Sequence, residues 1–275
     1  MNDQISAIFS LEGRVAVITG GLGLMGRRHS EAIANAGGIP VLVDISGPTL
    51  PEAEQARILG PKGCILRADI TQETEVVGIL EQVLSRFGRV DILINNAANN
   101  PKMEAGPGTE WSRLETFPLA QWDQDLAVGL KGAFLCSRVL GAEMARRKRG
   151  VIVNIASDLA LIGPDQRIYR AEGLPAERQP VKPLTYSVVK AGLLGLTRYL
   201  ATYWADQGVR VNAISPGGVF TNQPEDFVQR LANLIPMGRM ADADEYMGAI
   251  LFLCSDASSY MTGANLVVDG GRTCW

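Results

Sequence analysis

Short, nearly continuous apolar runs rich in β-branched residues alternate with longer segments of helical spacing, and this alternation constrains the fold more than any other feature. Such runs are typical of strands that are covered on both faces. A repeated strand–helix–strand order predicts an α/β fold with a parallel sheet and right-handed crossovers. The predicted strands are 14–20, 39–44, 64–66, 90–95, 151–156, 209–215 and 265–269.

The predicted helices lie between these strands, and the chain shows no internal repeat and no linker. We therefore expect one domain over residues 1–275. Two long segments, 99–120 and 159–183, follow the ends of predicted strands and contain several prolines. Long connections at that edge of a parallel sheet are typical of substrate-site loops. The predicted helices are 25–36, 73–87, 121–148, 184–206 and 242–254.

Charge and histidine content exclude several functions. With 26 basic and 29 acidic residues, the net charge of -3 gives no electrostatic footprint for a nucleic-acid partner. The only histidine is His29, so a zinc site built on several histidines is excluded and we expect no metal. Because His29 falls within the first long predicted helix, we expect it in packing or at the surface rather than in catalysis.

The cysteines and the apolar segments predict a soluble cytoplasmic protein. Four widely spaced cysteines form no C-x-x-C pair and are typical of free thiols in a reducing compartment. The first ten residues lack the basic region and apolar core of a signal peptide. The longest apolar run is too short to span a bilayer, so no membrane partner is expected.

A glycine-rich turn follows the first predicted strand, in a chain with 30 glycines among 275 residues. Its G-x-G-x-x-G pattern opens a helix, as a dinucleotide fingerprint requires. Glycines let the backbone approach a pyrophosphate, and the helix N-terminus offers free N–H groups. The alternative is a glycine-rich turn without a ligand. The predicted cofactor contacts in this turn are Gly20, Gly23, Leu24, Met25 and Gly26.

The second strand ends in Asp44, whose carboxylate is suited to accept hydrogen bonds from ribose hydroxyls. That charge repels the additional phosphate of NADP, and the next residue is Ile45 rather than an arginine. The sequence therefore predicts NAD in preference to NADP. The alternative is an aspartate that only caps a turn.

Other predicted cofactor contacts follow the third, fourth and sixth strands. Asp69 and Ile70 are expected near the adenine, although Asp69 is equally suited to shape the start of the next helix. The backbone of Val219 and the hydroxyl of Thr221 are candidates to hold the carboxamide or the adjacent phosphate. The remaining contacts are Asn96, Ala97, Pro216 and Gly217.

Tyr186 and Lys190 lie four residues apart at the start of a predicted helix and share one face. A phenol with its ordinary pKa of about 10 is a poor base at neutral pH. A nearby ammonium and a positively charged nicotinamide favour phenolate and lower that pKa. Tyr186 then exchanges a proton with a substrate hydroxyl or carbonyl. Ser157, just after the fifth strand, is a candidate to hydrogen-bond the reacting oxygen. The alternative is a half-buried tyrosine beside a snorkelling lysine.

These motifs, in this order, resemble the short-chain dehydrogenase/reductase family from residue 13 to residue 271. The resemblance implies a Rossmann fold, a doubly wound seven-stranded parallel sheet with helices on both faces. It implies that Ser157 orients the substrate oxygen, Tyr186 is the general acid/base and Lys190 binds the nicotinamide ribose. It also implies a homo-oligomer, dimer or tetramer, packed partly through the Tyr/Lys helix.

Three features depart from the family pattern. Leu24 holds the middle glycine position of the turn, a spacing typical of longer members that act on nucleotide sugars. Gly129 stands where a helix asparagine usually completes a proton relay, so a water or the local backbone must replace it. Ser157 and Tyr186 lie 29 residues apart, because the loop 159–183 lengthens the usual spacing of about a dozen.

The sequence thus predicts an NAD-dependent oxidoreductase that transfers a hydride to or from a small polar substrate. Sugars, sugar acids and sugar derivatives are the candidates, and the loop resembles that of dehydrogenases in surface-glycan or nonulosonate synthesis. An NAD-binding scaffold or sensor, and an epimerase-type enzyme that uses NAD transiently, remain alternatives. The loop residues that suit a polar or anionic substrate are Asp165, Gln166, Arg167, Arg170, Arg178 and Lys182.

Overall fold

A seven-stranded sheet, parallel throughout, forms the centre of the protein, in the strand order β3-β2-β1-β4-β5-β6-β7. The structure is a computed structural model that describes residues 3–47, 50–100 and 109–275. The predicted α/β fold, a doubly wound Rossmann sheet, is confirmed. The strands are β1 Val15–Thr19, β2 Ile39–Asp44, β3 Cys64–Arg67, β4 Ile92–Asn95, β5 Gly150–Ile155, β6 Val209–Pro216 and β7 Asn265–Val268.

All five predicted helices are present, and three short helices were missed. α1, α3 and α8 have only seven or eight residues, too few to show a clear apolar stripe. The predicted helix 121–148 is divided by one π-helical turn, Ala127–Lys131, between α5 and α6. The helices are α1 Asp3–Phe9, α2 Leu24–Asn35, α3 Glu52–Leu59, α4 Glu73–Phe87, α5 Leu119–Leu126, α6 Gly132–Arg146, α7 Leu184–Tyr203, α8 Glu225–Ala232 and α9 Met247–Cys254.

Two apolar cores lie on opposite faces of the sheet. Val15 and Val17 of β1 face the core formed with α4, α6 and α7. Ala16 and Ile18 face the core formed with α2, α3 and α9. Because successive side chains of a strand point to opposite faces, a strand buried on both sides needs an unbroken apolar run. This explains why the strands were the clearest signal in the sequence.

The crevice for a ligand opens beside β1, where the direction of strand addition reverses. β1 pairs with β2 on one side and with β4 on the other. Ligands of open parallel sheets bind at such a switch point, outside the carboxyl ends of the strands. Asn96, just after β4, donates from Nδ2 to the carbonyls of Thr19 and Gly20, both at 3.0 Å. The loops after β1 and β4 are therefore fixed against each other at the crevice.

The two long loops contain more regular structure than the sequence suggested. Within the segment around 159–183, single 3-10 turns form at Asp158–Ala160, Gln166–Tyr169 and Ala176–Arg178. Ile168 anchors this loop, because it packs in a small core with residues of the α8 region. Of the loop 99–120, residues 101–108 lie outside the described residues. None of the helices in the described ranges is both long and apolar enough to cross a membrane.

His29 is buried in the protein, which agrees with the first of the two expected locations, packing or the surface. Its side chain on α2 is 1% exposed. Within the described residues, neither ring nitrogen has a hydrogen-bond partner. Burial lowers the pKa of His29 from 6.5 to about 3, because the charged imidazolium would lose its hydration.

The buried His29 makes the free energy of unfolding depend on pH. In the unfolded chain His29 is protonated below about pH 6.5, whereas in the folded protein it stays neutral down to about pH 3. Stability therefore falls as pH falls through that window, by up to about 1.4 kcal/mol per pH unit from this group. We expect His29→Leu to lose this contribution, measured as the difference in unfolding free energy between pH 7 and pH 4.5. An unchanged pH slope in the variant would contradict the assignment, whatever its absolute stability.

Candidate active site

The turn between β1 and α2 is closed so tightly that only glycine fits at its ends. A Cβ on Gly26 would lie 2.3 Å from the Gly20 carbonyl oxygen. A Cβ on Gly20, whose φ is +61°, would lie 2.8 Å from Cα of Ala97. The twelve-residue α2 begins at Leu24, so its first backbone N–H groups have no partner within the helix. A bare backbone cradle at a helix N-terminus fits a pyrophosphate.

Asp44 lies beside this cradle and also caps the turn. Its Oδ2 accepts from the backbone N–H of Leu22 at 3.1 Å, and its Oδ1 accepts from the Ser46 backbone N–H and hydroxyl. A carboxylate has about four acceptor positions. The half-buried carboxylate therefore keeps capacity for a ribose hydroxyl, so capping and cofactor binding are compatible. Ile45 beside it is 66% exposed.

Asp69 and Ile70 lie after β3, where the adenine was expected. Asp69 Oδ1 accepts from the backbone N–H of Thr71 at 2.9 Å, and its own N–H donates to Glu75 at 2.7 Å. These bonds shape the turn before α4, which is the alternative that the sequence left open. Ile70 is buried, and its side chain lies against Gly132 at the start of α6.

The segment after β6 lies at the same edge of the sheet. Gly217 approaches the chain after β7 so closely that a Cβ would lie 2.9 Å from Cα of Asp269. Val219 forms an isolated bridge with Ala241. The Thr221 residue is exposed, and its backbone N–H donates to Gln223 Oε1 at 2.7 Å. Pro216, the last residue of β6, leads the chain into this segment.

Ser157, Tyr186 and Lys190 are brought to one place although the chain separates them widely. Ser157 follows β5, and the other two lie on the first turns of α7. Lys190 is 4% exposed, and its Nζ donates to the carbonyl oxygen of Ile155 at 2.6 Å. The same ammonium lies 5.7 Å from the centroid of the Tyr186 ring. A hydroxyl, a phenol and an ammonium thus converge beside the crevice.

Burial shifts the pKa values of both the tyrosine and the lysine. Burial raises the pKa of Tyr186, and the Ser157 hydroxyl only partly opposes that rise. Burial also lowers the pKa of Lys190 to about 8, helped by the charge of Lys182. The expected lowering of the phenol pKa includes the charge of a bound nicotinamide, so it stays a prediction for the complex with the cofactor.

A buried ion pair that sequence reasoning missed lies next to Ser157. The Ser157 hydroxyl donates to Asp158 Oδ1 at 2.7 Å. Asp158 Oδ2 accepts from Arg272 at 2.8 Å, and both side chains of this pair are buried. Arg272 comes from the segment after β7, so nothing local in the sequence points to the pair. The pair thus places a buried carboxylate, neutralised by an arginine, within hydrogen-bond distance of the Ser157 hydroxyl.

Lys182 also lies at the tyrosine, at the end of the loop 159–183. Its Nζ lies 4.0 Å from the centroid of the Tyr186 ring and donates to Asn100 Oδ1 at 2.7 Å. Burial lowers the pKa of Lys182 to about 8. Lys182 was predicted as one of the loop charges but not as a site residue. Its position four residues before Tyr186 was the available signal.

Gly129 has no room for the asparagine that the family pattern places there. It lies in the π-helical turn, and a Cβ on it would lie 2.4 Å from Cγ1 of Val189. Val189 precedes Lys190 on α7, so the relay position is closed by the helix that carries the site.

A buried carboxylate lies one turn before Gly129. Asp125 accepts from the Thr185 hydroxyl at 2.5 Å, Gln121 Nε2 at 2.7 Å and Asn99 Nδ2 at 3.0 Å. It lines one small cavity together with Tyr186 and Lys190. Nothing local in the sequence predicts this contact, because Thr185 and Asp125 lie on different helices.

Two family sequence profiles match the chain. The profile described as short chain dehydrogenase matches residues 14–171. The profile described as Enoyl-(Acyl carrier protein) reductase matches residues 175–273. The first alone spans more than half of the chain, so the protein belongs to the short-chain dehydrogenase/reductase family.

Similar proteins indicate the kind of chemistry. The D-threitol dehydrogenase of Mycolicibacterium smegmatis is 34% identical over 272 residues, which cover 96% of this chain and 95% of that protein. A short chain dehydrogenase of Leptospira borgpetersenii, solved with bound NAD+, has a TM-score of 0.82 at 30% identity and covers 96% and 94% of the two chains. A gluconate 5-dehydrogenase of Burkholderia cenocepacia, solved with NADP and tartrate, has a TM-score of 0.82 at 27% identity and covers 98% and 99%. The protein is a short-chain dehydrogenase/reductase that acts on CH–OH groups.

Gly129→Ala tests whether Val189 closes the relay position. Glycine to alanine inside a helix ordinarily stabilises by up to about 1 kcal/mol. Here we expect a destabilisation of about 1–3 kcal/mol, because the new methyl group overlaps a stiff β-branched side chain. Chemical unfolding measures it.

Val189→Ala is the matched control background, because it removes the Cγ1 methyl that a Cβ at position 129 would overlap. In that background Gly129→Ala should lower the free energy of unfolding much less. A double-mutant cycle measures the coupling energy between the two positions. A Gly129→Ala single variant that is more stable than the wild type would contradict the steric account.

Proposed function

We propose that the protein is an NAD-dependent dehydrogenase that interconverts a hydroxyl and a carbonyl group on a sugar, a sugar acid or a related polyol. The observation that carries the proposal is the convergence of Ser157, Tyr186 and Lys190 beside the crevice of the parallel sheet. The names of the similar proteins, a threitol and a gluconate dehydrogenase, support the substrate class.

Each of the three residues has a distinct role in this proposal. The Ser157 hydroxyl hydrogen-bonds the reacting oxygen and orients it. Tyr186 accepts the proton of the substrate hydroxyl during oxidation and returns it during reduction. Lys190 binds the ribose and stabilises the phenolate with its charge. The nicotinamide, when bound, accepts or supplies the hydride, and its positive charge favours the phenolate that burial disfavours.

The glycine turn and the loops around it form the proposed cofactor site. Gly20, Gly23 and Gly26 allow the backbone to approach the pyrophosphate, and the amides of Leu24 and Met25 face it. Asp44 binds the ribose hydroxyls. The adenine and nicotinamide ends are bordered by Asp69, Ile70, Asn96, Ala97, Pro216, Gly217, Val219 and Thr221.

We also propose a cytoplasmic homo-oligomer, built as a dimer or tetramer through α7. Tyr199 and Tyr203 stack at 5.8 Å on the exposed side of this helix. Gly195 has no atom near its open side, which would allow close packing of a second helix. The loops 99–120 and 159–183 form the substrate side of the single domain. Sedimentation velocity measures the assembly.

Tyr186→Phe separates catalysis from binding. Loss of the phenolic proton should lower kcat by about 10²–10⁴-fold, the usual contribution of general acid–base catalysis. NADH binding, measured by fluorescence, should stay near the wild-type value. Tyr260→Phe is the matched control, because Tyr260 is fully exposed. Normal turnover by Tyr186→Phe would show that the proton transfer is assigned to the wrong group.

The same assay separates the two alternative functions. A binding scaffold or sensor would bind NADH and turn over no substrate. An epimerase-type enzyme would convert a sugar without net NADH formation, whereas the proposed dehydrogenase accumulates NADH in proportion to the oxidised alcohol.

Cofactor choice should depend on the charge of Asp44. We expect the wild type to bind NADH at least about tenfold more tightly than NADPH, because the carboxylate repels a phosphate on the ribose. Asp44→Asn removes the charge, and Ile45→Arg adds a cation at an exposed position. Each should narrow the difference between the two dissociation constants. Tighter NADPH than NADH binding by the wild type would overturn the proposed preference.

A further inference from the structure

Lys182 places an ammonium at the edge of the site. No aspartate or glutamate among the described residues forms an ion pair with it. Its Nζ donates to the amide oxygen of Asn100 at 2.7 Å and lies 4.0 Å from the centroid of the Tyr186 ring. A half-buried ammonium held by neutral groups retains strong attraction for an anion, because burial has removed part of its hydration.

The carboxylates nearby are already engaged. The charge of Asp158 favours the protonated form of Lys182, but its Oδ2 receives Arg272 at 2.8 Å and its Oδ1 receives the Ser157 hydroxyl. Asp125 accepts three hydrogen bonds from neutral side chains. Neither carboxylate therefore balances the charge of Lys182.

We propose that Lys182 binds a carboxylate of the substrate, so that the preferred substrate is a polyhydroxy acid rather than a neutral polyol. This proposal rests on the proposed function, since it assumes that the substrate hydroxyl lies at Ser157 and Tyr186. The ammonium above the tyrosine ring lies close enough to the phenol for one small molecule to contact both.

A single uncommitted ammonium favours a monoanion over a phosphate. Phosphate sites commonly use the planar fork of arginine or several donors at once. Here Arg272 is committed to Asp158, and Arg167 is committed to Asp165. The other ammonium beside the tyrosine, that of Lys190, donates to the Ile155 carbonyl, so Lys182 is the one that matches a carboxylate.

The experiment compares acids with neutral alcohols of the same carbon chain. The pairs are D-threonate with D-threitol and D-gluconate with D-glucitol, each assayed with saturating NAD. Lys182→Met removes the charge and keeps most of the side-chain length. We expect it to raise KM for the acids by about 10–100-fold and to change kcat/KM for the alcohols less than about threefold. Lys182→Arg should recover part of the loss.

Arg146→Met is the matched control, because it removes one positive charge from an exposed, carboxylate-paired position at the end of α6, outside the proposed site. Its kinetics with acids and alcohols should match the wild type. Direct binding gives a second readout: tartrate should bind the wild-type complex with NADH and bind the Lys182→Met complex at least about tenfold more weakly.

The outcomes distinguish this inference from the function on which it rests. Oxidation of alcohols and acids alike, unchanged by Lys182→Met, would overturn the carboxylate site and leave the dehydrogenase intact. Equal losses for both members of each pair would also overturn it, since Lys182 would then act on the reacting hydroxyl. Failure of the wild type to oxidise any compound would count against the proposed function, whereas Lys182-dependent binding of tartrate would still support the anion site.

Discussion

The hydrogen bond from the Lys190 ammonium to the Ile155 carbonyl is the contact on which the site depends. A buried ammonium needs an acceptor, and Ile155 is the last residue of β5. The bond therefore fixes the first turns of α7 against the end of that strand, two residues before Ser157. Tyr186 lies one turn earlier on the same helix, so its place beside Ser157 follows from this anchoring.

Polar side chains buried between the central strands support the same region. Asn95 of β4 donates to Asn154 Oδ1 at 2.8 Å and to the Ser137 hydroxyl at 3.0 Å. Asn154 of β5 in turn donates to the Thr197 hydroxyl on α7 at 2.8 Å. Buried amides cost free energy when they lack partners, so this network specifies how α6 and α7 lie on the sheet. The strands and helices beneath the site loops are thus joined by buried side-chain hydrogen bonds.

How much the sequence predicted depends on whether a signal was local. The strands were predictable because burial on both faces demands an unbroken apolar run, and the glycine turn because its spacing is local. The contact of Val189 with Gly129 was not predictable, because the two residues lie in helical segments that are distant along the chain. The Asp158–Arg272 pair was hidden for the same reason. The raised pKa of Tyr186 depends on burial, which residue spacing does not report.

The long loop 159–183 changes the chemistry of the site without disturbing its geometry. Because Lys190 and the buried amides set the position of α7, the length of chain between Ser157 and Tyr186 is free to vary. Roughly doubling that length costs only about 0.6 kcal/mol of loop-closure entropy. The loop recovers part of this by burying Ile168 and by its own single turns of helix. What it adds is Lys182 at the ring of Tyr186, a charge that the proton-transfer geometry does not require and that a recognition role explains.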